Sequence, residues 1–250
     1  MVSLPQQLAE CGRLLVVSDF DGTIAPLTGN TFSPQPNMLS VAALEKLARL
    51  AGTTVAVLSG RDLATLSTVT DFSPAIVLAG SHGAETTSID SPVTAEQRDR
   101  VHRAAEALEH LAAGVAGCFV ERKPFQACLH VRKVTDTAVA QTLMSRAVDT
   151  GAAMDGIHTT VGSCIVELSA SSITKGDWIT RQRTATGADR VVFLGDDTTD
   201  EAGFAVLTET DLGVKVGPGA TAATARVADV DEVGVFLTLL ADRRAAHTAL

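Results

Sequence analysis

A chain of 250 residues has room for one large domain, or for one domain carrying an insertion. Hydrophobic residues make up 46% of it and aromatics only 4%, so a sizeable core must be packed from Val, Leu, Ile and Ala. The formal net charge of −9 argues against broad binding to nucleic acid or to an anionic membrane. A small phosphorylated ligand stays open, because a cation and a few basic residues can reverse the field inside a cleft.

In chain order, the first predicted strand is the apolar run Leu14-Leu15-Val16-Val17, followed at once by Ser18-Asp19-Phe20-Asp21-Gly22-Thr23. A helical pattern then spans 39 to 50, with Leu44, Leu47 and Leu50 in spacing and Gly52 as a stop. Val55-Ala56-Val57-Leu58 precedes Ser59-Gly60-Arg61, and Ile76-Val77-Leu78 precedes Gly80-Ser81-His82-Gly83. From about 90 to 169 the order changes to helix, two strands, helix, two strands. A capping box at Thr94-Ala95-Glu96-Gln97 opens this stretch. The alternating pattern resumes with a helix after Lys175 and the run Val191-Val192-Phe193-Leu194 before Gly195-Asp196-Asp197.

Continuous apolar strands between helices predict an α/β fold with a parallel sheet, buried on both faces. The expected organisation is a core from 1–89 and 170–250, with 90–169 as an inserted α+β module. The four cysteines (Cys11, Cys118, Cys128, Cys164) lack C-x-x-C spacing and read as free thiols in a reducing, cytoplasmic setting. No run reaches the roughly 20 apolar residues of a membrane helix. The apolar run before Asp19 also lacks the basic front of a signal peptide.

In such sheets ligands bind beyond the carboxyl ends of the strands. Asp19, Ser59, Lys175 and Asp196 are therefore expected on one rim. Asp19 suits a nucleophile that forms an aspartyl phosphate, and Asp21 a general acid and base. Ser59, Gly60 and Arg61 suit phosphate oxygens, and Lys175 a fixed positive charge. Asp196, Asp197, Asp200 and Glu201 place four carboxylates in six residues, a set that suits Mg²⁺. Each motif has a plainer reading. Asp19 to Thr23 is also an acidic helix-capping turn, and Ser59 to Asp62 a turn with a cap. Lys175 is also a solvated lysine, and Asp196 to Glu201 an acidic helix start favoured by the dipole. Four carboxylates directly after a buried strand form a costly cap without a cation.

Taken together, Asp19-Phe20-Asp21-Gly22-Thr23, Ser59, Lys175 and Gly195-Asp196-Asp197-x-x-Asp200 resemble the four motifs of haloacid-dehalogenase-superfamily phosphatases. That resemblance implies a Rossmann-like core, Mg²⁺ dependence and a C2-type cap at 90–169 that selects the leaving group. It implies metal ligation by Asp19, by the backbone carbonyl of Asp21 and by Asp196, with Asp197 and Asp200 acting directly or through water. The segments around His82, Glu121-Arg122-Lys123, His130-Val131-Arg132 and Glu167 extend the resemblance to trehalose-6-phosphate phosphatases. By that pattern Glu121, Lys123, Arg132 and Glu167 contact the sugar, His82 and Gly83 lie near the cleft, and a trehalose-phosphate synthase is a functional neighbour. Val131 stands where an aromatic is usual. A phosphatase for another sugar phosphate, such as sucrose 6-phosphate, is the alternative, followed by a non-catalytic sugar-phosphate sensor.

Overall fold

The computed structural model describes residues 6–27, 34–90 and 93–248. It divides into two compact units, Met1–Ser91 with Ile173–Leu250, and Pro92–Ser172.

The first unit is built on a seven-stranded sheet. Its strands are β1 (Leu14–Ser18), β2 (Thr53–Leu58), β3 (Ile76–Gly80), β4 (Glu85–Thr86), β9 (Arg190–Gly195), β10 (Leu212–Val216) and β11 (Ala225–Val227). Their spatial order is β11-β10-β9-β1-β2-β3-β4, parallel throughout except for β4, which runs antiparallel to β3. All five residues of β1 are buried, as expected of a central strand covered on both faces. Register places Ser18 beside Val57 of β2 and Leu194 of β9, so Asp19, Ser59 and Asp196 leave the sheet at neighbouring points of the same edge.

On one face pack α2 (Met38–Ala48) and α8 (Val230–Thr248), through Leu44, Leu47, Val233, Phe236, Leu237 and Leu240. On the other pack α6 (Lys175–Thr186) and α7 (Glu201–Ala205), through Trp178, Ile179 and Phe204. Short helices α1 (Gln6–Glu10) and α3 (Leu63–Val69) complete this unit. Helix α2 starts at Asn37, whose side chain accepts from the Leu39 and Ser40 amides. Arg244 of α8 is fully buried; its guanidinium donates to the carbonyls of Ala9, Cys11, Gly12 and Gly52 and to the Thr53 hydroxyl.

The second unit is an α+β layer. Its strands β5 (Phe119–Arg122), β6 (Gln126–His130), β7 (His158–Gly162) and β8 (Ile165–Ser169) form an antiparallel sheet in the order β5-β6-β8-β7. Helices α4 (Ala95–Ala112) and α5 (Thr137–Ala152) cover one face through Ala105, Leu108, Leu143 and Ala147 against Leu129, Val166 and Leu168. The capping box at Thr94 opens α4 as its sequence predicts.

Beyond the elements expected from the sequence, the structure has α1, α3, β4, β10, β11 and α8. In β10 the alternation of Leu212, Val214 and Val216 is a strand signal, but a lysine and a glycine stand between them. No helix among the described residues is long and apolar enough to cross a membrane, and the four cysteines are free.

Candidate active site

Asp19 follows β1 directly, and its amide donates to the Leu194 carbonyl at 2.9 Å, which ties it to β9. Three residues on, Gly22 turns at φ +82°, where a side chain would be strained and its Cβ would lie 2.0 Å from Asp196 Oδ2. That glycine lets the Asp196 carboxylate fold over the first loop, where it accepts from Thr23 Oγ1 at 3.2 Å.

Lys175, the first residue of α6, is 2% exposed. Its Nζ donates to Asp19 Oδ1 and to Asp200 Oδ1, each at 2.7 Å. Asp200 Oδ2 accepts from the Asp196 and Asp197 amides, both at 2.9 Å. Both Asp200 oxygens are thus engaged within the protein. They fix the lysine and the turn after β9. Asp197 is exposed and caps its own 3₁₀ turn by accepting from the Thr198 amide, so its side chain stands outside the cluster.

One carboxylate oxygen from each of Asp19, Asp196 and Asp200 lies within 4.8 Å of the others. Burial pushes the Asp19 carboxyl up to about 8, against the pull of Lys175. Asp196 is raised by burial and by Asp200, while hydrogen bonds from Thr23 and with Asp19 offset part of that rise. Lys175 is raised by its two carboxylate partners in spite of its burial. Carboxylate oxygens this close together, on a buried Asp19 and a half-buried Asp196, mark a place where a divalent cation fits. The oxygen-only donor set is that of a hard cation.

Asp21 does not face this cluster with its side chain. Arg61 holds it in a two-point grip, Nε to Oδ2 at 2.6 Å and Nη2 to Oδ1 at 2.7 Å. The guanidinium also lies over the Phe20 ring, 5.7 Å from its centre. Ser59 is buried, and its hydroxyl accepts from the Arg61 amide at 3.1 Å. Arg61, expected to meet phosphate, therefore meets a carboxylate here.

The turn after β3 carries two non-glycine residues at positive φ, Ser81 at 49° and His82 at 56°. The turn is held by the Ser81 amide on the Arg61 carbonyl and the His82 amide on the Ser59 carbonyl. The His82 ring lies against Gly60, where a Cβ would come 2.7 Å from Cε1. Gly83, expected near the cleft beside His82, is fixed by packing. At φ +102° and buried, it packs on Trp178, and a Cβ there would be 2.4 Å from the Trp178 Cβ.

In the second unit, Glu121, Cys128 and Glu167 are register partners across β5, β6 and β8, on the sheet face opposite the helices. Glu121 Oε2 lies 3.0 Å from His130 Nε2 and 3.9 Å from Lys123 Nζ. The Cys128 thiol donates to Glu167 at 3.7 Å, and burial pushes it up to about 12. Arg132 lies beyond the end of β6 and is exposed. Sequence reasoning passed over Phe119, whose ring stacks on His130 at 4.6 Å with 6° between the planes. Its two-residue spacing from Glu121 was the available signal.

Residues 17–231 match the trehalose-phosphatase family. The chain belongs to that family. The trehalose-phosphate phosphatase of Mycobacterium ulcerans (strain Agy99) is 32% identical over 271 residues, spanning 97% of this chain and 67% of the relative. That of Mycobacterium avium (strain 104) is 34% identical over 202 residues, covering 76% of this chain and 50% of the relative. The crystal structure of a trehalose-6-phosphate phosphatase related protein superposes with a TM-score of 0.74 at 25% identity, covering 93% of this chain and 99% of that one. The expected resemblance and the expected α/β class are thus met. Within the trehalose-phosphatase match fall Asp19, Asp21, Ser59, Lys175 and Asp196, together with the sheet face that carries Glu121 and Glu167.

Proposed function

We propose that the protein is a Mg²⁺-dependent phosphatase that hydrolyses trehalose 6-phosphate to trehalose and phosphate. The observation that carries this reading is Lys175 bonded to both Asp19 and Asp200 beside Asp196, in a chain of the trehalose-phosphatase family. Asp19 is the nucleophile: its carboxylate oxygen bonds to phosphorus as the bond from phosphorus to the sugar oxygen breaks. Asp21 gives its proton to that departing oxygen. It then takes a proton from the water that attacks the aspartyl phosphate, which releases phosphate and restores Asp19. For this one Asp21 oxygen leaves the Arg61 grip to carry the proton, while the other keeps its bond and so its direction. Lys175 neutralises part of the charge on Asp19 and on the equatorial phosphoryl oxygens, while Ser59 and the Gly60 amide hold the phosphate.

Asp19, Asp196 and the Asp21 backbone carbonyl would hold Mg²⁺. The cation would keep Asp19 ionised and offset the repulsion between carboxylate and phosphate. Asp200 acts through Lys175 and the Asp196 turn, and Asp197 through that turn. Glu121, Lys123, Arg132 and Glu167 belong to the cap and recognise the sugar, with His82 beside the phosphate loop. A mixed set of acids and bases suits a polyhydroxylated ligand, because carboxylates accept from hydroxyls and lysine or arginine donate to them. The same reading places the enzyme in the cytoplasm and downstream of a trehalose-phosphate synthase.

The test is phosphate release by purified protein from trehalose 6-phosphate, sucrose 6-phosphate and glucose 6-phosphate, with Mg²⁺ and with chelator. Fastest turnover of trehalose 6-phosphate that stops on chelation is the expected result. Preference for sucrose 6-phosphate overturns the substrate, and no Mg²⁺-dependent release from any ester overturns the activity.

A further inference from the structure

Lys215 is the second buried lysine near the acidic turn, and the reaction as derived above does not use it. It is 5% exposed. On β10 the side chains of Leu212, Val214 and Val216 join the core on the α2 and α8 side, so Lys215 points to the opposite face of the sheet. There it stands in register with Gly195, the residue before Asp196. Its Nζ donates to the backbone carbonyl of Asp196. A buried ammonium usually meets a carboxylate. Lys215 instead meets a neutral peptide oxygen, at the residue whose side chain faces Asp19.

The consequence lies in how Asp196 is held. Its amide, and that of Asp197, are bound by Asp200 Oδ2. Its carbonyl is bound by Lys215. Both peptide groups flanking the Asp196 Cα are thereby fixed, and the carboxylate is left to reach Thr23 and the space above Gly22. Asp200 braces one side of this residue and Lys215 the other.

We propose that Lys215 is a positioning residue, which fixes the Asp196 backbone so that its carboxylate is presented to the divalent cation. This rests on the metal-dependent reading of the site given above. It gives Lys215 a task distinct from that of Lys175, which touches the nucleophile itself. It also opposes simple electrostatics: a lysine acting only through its charge would repel the cation, and its removal would tighten metal binding. A brace acts in the other sense, and its loss weakens binding.

The experiment compares wild type with Lys215→Met, which keeps the stem and deletes the ammonium. The unfolding temperature is followed as MgCl₂ is titrated into substrate-free protein, and steady-state kinetics are then measured at saturating Mg²⁺. The midpoint of Mg²⁺ stabilisation is expected to rise about tenfold, the lower end of the range for residues that orient metal ligands. KM for trehalose 6-phosphate should stay within about twofold, since on this proposal the lysine does not touch substrate. An unchanged or lowered midpoint overturns the inference. If Lys215→Met does not fold, Lys215→Leu, which also removes the donor on a shorter side chain, is titrated in its place. A raised midpoint with a folded circular-dichroism spectrum supports the brace, and failure of that variant to fold assigns Lys215 to folding and overturns it. A wild-type protein that shows no Mg²⁺-dependent turnover refutes the proposed function instead, so the two failures are separable.

Discussion

Arg61 holds Asp21 through two parallel hydrogen bonds, across 40 positions of sequence, with its guanidinium stacked over Phe20. A fork-to-fork pair of this kind fixes both partners in direction as well as in charge. In the proposed reaction Asp21 needs such direction, because its proton must go to one oxygen only. Arg61→Ala is expected to slow hydrolysis of trehalose 6-phosphate by about 10²-fold, the lower end for a lost acid–base contribution. p-Nitrophenyl phosphate, whose leaving group departs without a proton, should lose far less. Equal losses on both esters would move Arg61 from Asp21 to the phosphate.

Lys175 stands between two buried carboxylates, and its removal leaves both without their cation. Lys175→Met should lower stability by about 3–5 kcal/mol in urea denaturation, the range for breaking a buried ion pair by deleting one partner. Turnover should be lost as well. Added Mg²⁺ should recover part of the stability and none of the turnover.

The raised carboxyl of Asp19 sets a pH dependence for the metal-free protein. A carboxyl with a higher pKa folded than unfolded binds more protons in the folded state, so its contribution is fully present below the unfolded value. That contribution is lost as pH rises through the folded value. For Asp19 the window runs from 3.8 to about 8. Asp196 is raised too and acts in the same direction. In the presence of chelator, the unfolding temperature is expected to fall as pH climbs through this window. Asp19→Asn should flatten the decline, and saturating Mg²⁺ should do so in the wild type. A chelated wild type that gains stability across the window would contradict this.

Gly83 and Trp178 form a packing pair under the His82 turn. Gly83→Ala meets both a positive φ and the Trp178 side chain, so a loss of more than about 1 kcal/mol is expected in thermal unfolding. Trp178→Ala opens a cavity and should cost about 3–5 kcal/mol. The double variant should cost less than the two single losses added together, because the residues touch.

On the cap, Glu121→Ala should raise KM for trehalose 6-phosphate about tenfold and leave p-nitrophenyl phosphate hydrolysis unchanged. The estimate is that of one lost hydrogen bond to a charged group. Kinetics on the two esters decide whether the Glu121 face meets the sugar.

Much of this was legible in the amino-acid order, for physical reasons. Leu14–Val17 and Val191–Leu194 are apolar at every position, which a strand buried on both faces requires, and both lie in the centre of the sheet. Asp19 and Asp196 follow such strands directly, so their meeting could be expected. What could not be read was side-chain direction. Nothing in Ser59-Gly60-Arg61 says that the guanidinium turns back to Asp21, because that depends on the register of β1 with β2. Asp197 and Asp200 look equivalent in sequence, yet one caps a turn at the surface and the other is fully buried. Lys215 was hidden for a similar reason: a lysine inside an apolar run weakens the strand signal, and only the pairing with Gly195 explains it.

The Arg244 guanidinium gathers carbonyls from the segments that lead into β1 and β2, with 235 positions between Arg244 and Ala9. During synthesis the base of β1 therefore gains this anchor only after α8 has emerged and docked. A nascent or truncated chain that stops short of Arg244 carries Asp19, Lys175 and Asp196 and still lacks the clasp beneath β1 and β2.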